Sequence, residues 1–229
     1  SLGKKILNNL EFKLTKNQEK IIYEINEDLR SNKKMFRLLQ GDVGSGKTIV
    51  SFMTVANVLE FGCQSALMAP TAILAKQHYN LAKKMFDRTK IKIELLTGKT
   101  ETKIRKKILE DSKNGKIDLL IGTHALFQKK IDFKNLGYIV IDEQHKFGVK
   151  QRMSFAEKGG KNCDVLLMSA TPIPRTMMLT IYGDMDVSRL TEKPKNRLPI
   201  LTYSKPEKKI NDLIKIIKKN FSENNQVFW

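Results

Sequence analysis

Apolar residues recur along the chain in two alternating patterns. Short, mostly apolar runs (MFRLLQ, SALMAP, IKIELLTG, DLLIGT, YIVIDE and DVLLMSAT) are separated by longer stretches with apolar residues every three or four positions. A short run that is apolar on both faces suits a strand covered on both sides, and the longer spacing suits an amphipathic helix. TKNQEKIIYEINEDL predicts the first helix, with Ile21, Ile22, Ile25 and Leu29 on one face and Thr15 as N-cap. TIVSFMTVANVLEF predicts an apolar helix closed by Gly62. TAILAKQHYNLAKKMF and the lysine-rich TETKIRKKILEDSKNG predict two more. Strands alternating with helices predict an α/β fold: an open, twisted, parallel sheet with helices on both faces.

After Gly183 the pattern changes. MDVSRLTEKPKNRLP is polar, carries two prolines and reads as a connector. LPILTY reads as a new strand, PEKKINDLIKIIKKN as a helix with Ile210, Leu213, Ile214 and Ile217 aligned, and QVFW as the opening of another strand. Such a set cannot bury a core of its own. The expected division is a first domain over residues 1–190, a linker over 191–200 and the incomplete start of a second domain over 201–229.

Composition narrows the class. The 229 residues are 41% hydrophobic and 29% charged, as in a globular protein. There is no apolar run of membrane-spanning length and no secretory h-region, so a cytoplasmic location is expected. Cys63 and Cys163 are far apart and read as reduced structural thiols. His78, His124 and His145 show no metal-ligand spacing. The net charge of +18 favours a polyanionic partner, although the basic residues are dispersed.

GDVGSGKT, residues 41–48, adds chemistry. Gly41, Gly46, Lys47 and Thr48 fit G-x-x-x-x-G-K-[ST] between a predicted strand and a predicted helix. Glycines there let the backbone N–H groups of Gly41, Asp42, Val43, Gly44, Ser45 and Gly46 converge on phosphate oxygens, and the helix N-terminus adds partial positive charge. Lys47 would reach the β- and γ-phosphates of ATP, and the Thr48 hydroxyl would ligate Mg²⁺. A carboxylate at another strand end must hold the metal, and YIVIDEQH supplies Asp142. Its neighbour Glu143 would polarise the attacking water. In isolation the acidic pair also reads as a solvated turn.

DEQH at 142–145 resembles the DExH box of superfamily 2 helicases. FKLTKNQ resembles their Q motif, MAPTAILAKQH motif Ia, LLTG motif Ib, IGTHAL the motif after it, and SATPIPRT motif III. DEQHKFGVKQR, SATPIPRTMMLTIYGDMDVS and the closing QVFW together resemble the RecG family of bacterial branch-migrating DNA helicases. In one departure, Ala72 stands where that family usually carries an acidic residue.

The resemblance implies a RecA-like P-loop motor domain followed by the start of a second one. It assigns the adenine edge to Gln18 with Phe12 nearby, where Gln18 alone reads as a surface helix residue. His145, Ser169 and Thr171 would couple the γ-phosphate site to motif III. Pro70, Thr71, Thr97, Gly98, Thr123 and His124, at predicted carboxyl ends of strands, would meet DNA phosphates. Thr71 reads equally as an ordinary N-cap, and Arg175 as a DNA contact or a helix cap. The implied activity is ATP-driven remodelling of branched or duplex DNA, such as stalled forks and Holliday junctions, in recombination and repair. A wedge domain before Ser1 and the rest of the second motor domain after Trp229 are expected. Without the latter's arginines, the segment alone would bind nucleotide and hydrolyse it poorly. Two other functions fit the same motifs: the motor of a transcription-repair coupling factor or RNA helicase, and a non-catalytic nucleic-acid-binding module with an idle nucleotide pocket.

Overall fold

The computed structural model describes residues 1–123, 126, 131–143, 163–171, 185–192, 201–223 and 225–228. The chain forms two compact units, Ser1–Pro194 and Lys195–Trp229. In the first unit the helices are α1 (Leu2–Asn8), α2 (Lys16–Arg30), α3 (Lys47–Glu60), α4 (Ala72–Met85) and α5 (Thr102–Lys113). The strands are β1 (Phe36–Gly41), β2 (Gln64–Met68), β3 (Ile93–Leu96), β4 (Leu119–Gly122), β5 (Leu136–Ile141), β6 (Asp164–Ser169) and β7 (Asp186–Leu190). They make one seven-stranded sheet in the order β3-β4-β2-β5-β6-β1-β7, and every pairing is parallel.

Side chains alternate across the sheet and so divide the core in two. On one face Leu39, Leu67, Val140, Leu166 and Met168 pack with Ile6, Ile21, Ile25, Phe52, Val55 and Met85 from α1 to α4. On the other, Leu38, Met68, Leu120, Ile139 and Leu167 pack with Ile108 of α5, Leu126 and Ile131. Helices on both faces explain why the central strands read as unbroken apolar runs.

Local signals explain the element ends. Thr15 caps α2 through a full capping box, in which its side chain accepts from Gln18 N and Gln18 accepts from Thr15 N. Gly62 follows α3 at φ +76°, the left-handed turn that stops the helix. Two features depart from expectation. Residues 186–190, read as part of a connector, form edge strand β7 against β1. Val187 packs on one face of the sheet and Leu190 on the other, with polar Ser188 buried between them, too short a signal to stand out beside the prolines. Helix α1 was not anticipated. It buries Ile6 completely, with Gly3 set close to Met53 and Asn57 of α3.

In the second unit a single 3₁₀ turn, Glu207–Lys209, leads into α6 (Ile210–Ser222), which has no buried residue. Leu201–Tyr203 and Gln226–Phe228, read as strand, carry no regular structure. A strand needs a neighbour to pair with, and none is described in this unit. No described helix is long and apolar enough to cross a membrane.

Candidate active site

Strand β1 ends in Gly41 and α3 begins at Lys47, so residues 42–46 turn at the carboxyl end of the sheet. The turn needs its glycines. Gly46 sits at φ +91°, and a Cβ there would lie 2.2 Å from Gln18 Nε2. A Cβ on Gly41 would lie 2.6 Å from Ser45 Oγ and 2.8 Å from Leu190 Cβ. Gly44 is also left-handed, at φ +78°. Asp42, Val43 and Gly44 face solvent, while Ser45 and Lys47 are buried and Thr48 is half-buried. No side chain caps the first turn of α3. Its leading N–H groups therefore keep their partial positive charge.

Two polar groups here are poorly matched by protein partners. Ser45 Oγ is buried and has no hydrogen-bond partner among the described residues. The Lys47 ammonium donates to two neutral carbonyls, Gly41 O at 2.6 Å and Asp42 O at 3.1 Å. Burial pushes its pKa below the ordinary lysine value, while Glu143, Asp142 and Asp42 pull it back up. The two acids at the end of β5 thus act on the lysine at the end of β1, across β6. Their separation of about a hundred positions in sequence is closed by the sheet order.

Asp142 is buried, its N–H bonded to Met68 O at 2.8 Å. Its carboxylate is 2.7 Å from Nε2 of His78, which is also buried. Glu143 adopts φ +49°, a left-handed backbone uncommon for glutamate. That twist re-aims the chain as it leaves the strand.

Gln18 is 3% exposed and braces the loop from below. Its Oε1 accepts from Thr15 N at 2.9 Å and its Nε2 donates to Ser45 O at 3.0 Å. The reading of Gln18 as a surface residue is therefore wrong, because the loop covers it. Phe12 is exposed. Thr171 N donates to Ser169 Oγ at 3.2 Å, and the two hydroxyls lie 3.1 Å apart. Thr171 O accepts from Gln40 Nε2 at 3.1 Å, and Gln40 Oε1 accepts from Arg189 Nε at 3.2 Å. Motif III is in this way tied to the strand that leads into the glycine loop.

The residues expected to meet DNA fall on the other half of the carboxyl edge, after β2, β3 and β4. Thr71 is exposed and caps α4, accepting from Leu74 N at 3.2 Å. Pro70 is half-buried and Gly98 exposed. Thr97 is buried in a turn, where its hydroxyl accepts from Lys99 N and its carbonyl from Arg105. Thr123 is buried, and its hydroxyl has no partner among the described residues. His124, His145 and Arg175 lie outside the described residues, as does the rest of the DEQHKFGVKQR string after Glu143.

Sequence reasoning missed His78, Gln40 and Arg189. For His78 a signal existed, since it stands seven positions, or two helical turns, after Thr71 in MAPTAILAKQH. His78 was weighed only for metal spacing, and an imidazole that supports a carboxylate has no such spacing.

The sequence profile of DEAD/DEAH box helicases matches residues 15–179, a span that runs from the α2 cap past motif III. The chain belongs to the DEAD/DEAH box helicase family. The resemblance to RecG helicases holds within it. The ATP-dependent DNA helicase RecG of Thermotoga maritima is 45% identical over 227 residues, covering 99% of this chain and 29% of that protein. RecG of Aquifex aeolicus is 46% identical over 226 residues, covering 98% and 28%. A solved structure of RecG bound to a three-way DNA junction superposes with a TM-score of 0.85 at 42% identity, covering 97% of this chain and 30% of that one. A DEAD-box helicase bound to single-stranded RNA shares the fold, with a TM-score of 0.70 at 20% identity over 98% of this chain and 51% of that one. The chain thus spans under a third of the RecG relatives' length.

Proposed function

We propose that this chain is the nucleotide-binding motor segment of a RecG-type, ATP-dependent DNA helicase that remodels branched DNA. One observation carries the reading: Lys47, Asp142 and Glu143 share an electrostatic site at the carboxyl end of the sheet, beside a glycine turn with an unpartnered buried hydroxyl. That donor set fits a magnesium triphosphate. Phosphate oxygens are stronger acceptors than the carbonyls of Gly41 and Asp42, so Lys47 would transfer to them. Ser45 Oγ and the uncapped N–H groups of α3 would donate to the same anion. Thr48 and Asp142 would hold Mg²⁺, which when bound neutralises charge on the phosphate oxygens. Glu143 would accept the proton of the attacking water. Gln18 would keep the loop at its height through Ser45 O and offer its remaining amide capacity to the adenine edge, with Phe12 beside it.

On the coupling side, a change at the γ-phosphate would reach Ser169 and Thr171 along β1 and Gln40. Thr71 and Gly98, both exposed, would take DNA phosphates directly. Thr97 and Thr123 would act by shaping their turns, since both are inside the protein.

The test is ATP hydrolysis by the complete polypeptide with a three-way DNA junction, linear duplex and RNA in parallel. The junction is expected to stimulate most, and Glu143→Gln to lower turnover by about 10²-fold or more. Stimulation by RNA alone, or turnover indifferent to Glu143, contradicts the reading.

A further inference from the structure

We infer that His78 is the positioning residue for Asp142, and that through it helix α4 joins the DNA-facing edge to the nucleotide site. The inference rests on the metal-ligand role proposed for Asp142. The contact is short and dry: Nε2 lies 2.7 Å from Oδ2, and both residues are 7% exposed. An ionised carboxylate only accepts, so the imidazole N–H donates. That bond fixes the rotation of the carboxylate and leaves its other lone pairs for a metal-bound water. Carboxylates that ligate metals are commonly held by such outer partners.

The same histidine belongs to an element with a different outlook. Helix α4 is capped by the exposed Thr71, and His78 follows about 10 Å along the axis. Ala75, Ala82 and Met85 share its buried face and seat the helix against the sheet. His78 is the one polar member of that buried set among the described residues. A shift of α4 when its N-terminus takes a phosphate is therefore delivered to Asp142 as a change in one hydrogen bond. A histidine buried merely for stability would affect folding, but it would leave metal affinity and its response to DNA unmoved.

The experiment uses the complete polypeptide with ADP and follows Mn²⁺ binding by electron paramagnetic resonance. His78→Ala should weaken Mn²⁺ binding about 10- to 100-fold. ADP affinity in chelator should stay unchanged. His78→Gln, whose amide nitrogen has the reach of Nε2 and can still donate to the carboxylate, should recover part of the loss. Adding a three-way DNA junction should change the Mn²⁺ affinity of the parent protein and leave that of His78→Ala unmoved. If His78→Ala does not fold, His78→Leu, which fills the space without a donor, takes its place with the same expectation. Parental Mn²⁺ affinity in the folded variant overturns the positioning role. Equal DNA-induced changes in variant and parent, or none in the parent, overturn the link to α4. Asp142→Asn separates the two layers. If it too binds Mn²⁺ as the parent does, the metal-ligand reading itself fails. If it loses Mn²⁺ while the His78 variants do not, only the role of His78 falls.

Discussion

The two ends of the parallel sheet treat their polar groups differently. At the amino end almost every buried polar group is closed on another part of the chain. Gln64 donates to Ser112 O and Ile117 O and accepts from Asn135 N. Asp164 accepts from Met35 N, and Asp118 from Lys92 N. Arg37 reaches both Asp28 and Ser188, and Ser188 donates to Glu24. Ser65, a hydroxyl inside the sheet without a partner, is the exception. At the carboxyl end Ser45 and Thr123 lack partners, Lys47 rests on neutral carbonyls, and Glu143 holds a left-handed backbone. Unmet hydrogen-bonding capacity costs stability. Concentrated at one end, it marks where the protein trades stability for a ligand's contacts, as open α/β sheets do at the ends of their strands.

This contrast makes opposite predictions for the two ends. The largest expected effect on folding lies at the amino end. Gln64→Ala would take these partners from Ile117 O and Asn135 N and leave Ser112 O with Gly115 N, and should lower stability by about 3 kcal/mol in a denaturant titration. Nucleotide affinity should stay at the parent value. A stable variant, or one with altered affinity, would blur the division. A smaller effect of opposite sign is expected for Ser45→Ala, which should raise stability by about 1 kcal/mol by removing an unpartnered buried hydroxyl. The same change should weaken nucleotide binding. Loss of stability with affinity intact would mean that Ser45 belongs to the structural class instead.

Much of this was legible in the sequence for physical reasons. The five central strands are buried on both faces, so they declare themselves as short, mostly apolar runs. The glycine turn declares itself because only glycine fits at Gly41 and Gly46. Edge strand β7 was hidden because its inward residues are a half-buried valine, a buried serine and a single buried leucine, too little apolar signal to read as a strand. The pairing of Lys47 with Asp142 and Glu143 was expected from strand ends alone, and the sheet order delivers it. Gln40 was not legible, because its role depends on which buried partner the fold brings near, and the spacing of His78 from Thr71 gave its helix face but not its partner Asp142. Gln18 was only half legible. Its motif pointed to the nucleotide, but its double engagement with Thr15 and Ser45 appears only once α2 and the loop are packed together.

The central claim is that Lys47 and Asp142 act on one bound magnesium triphosphate. The direct measurement is a double-mutant cycle, with Lys47→Ala, Asp142→Asn and the pair, on the affinity for a non-hydrolysable ATP analogue with Mg²⁺ by calorimetry. Two groups sharing a ligand and its metal should be non-additive by about 1 kcal/mol or more, and the coupling should vanish when Mg²⁺ is chelated. Additivity within about 0.5 kcal/mol, with and without Mg²⁺, would contradict the account.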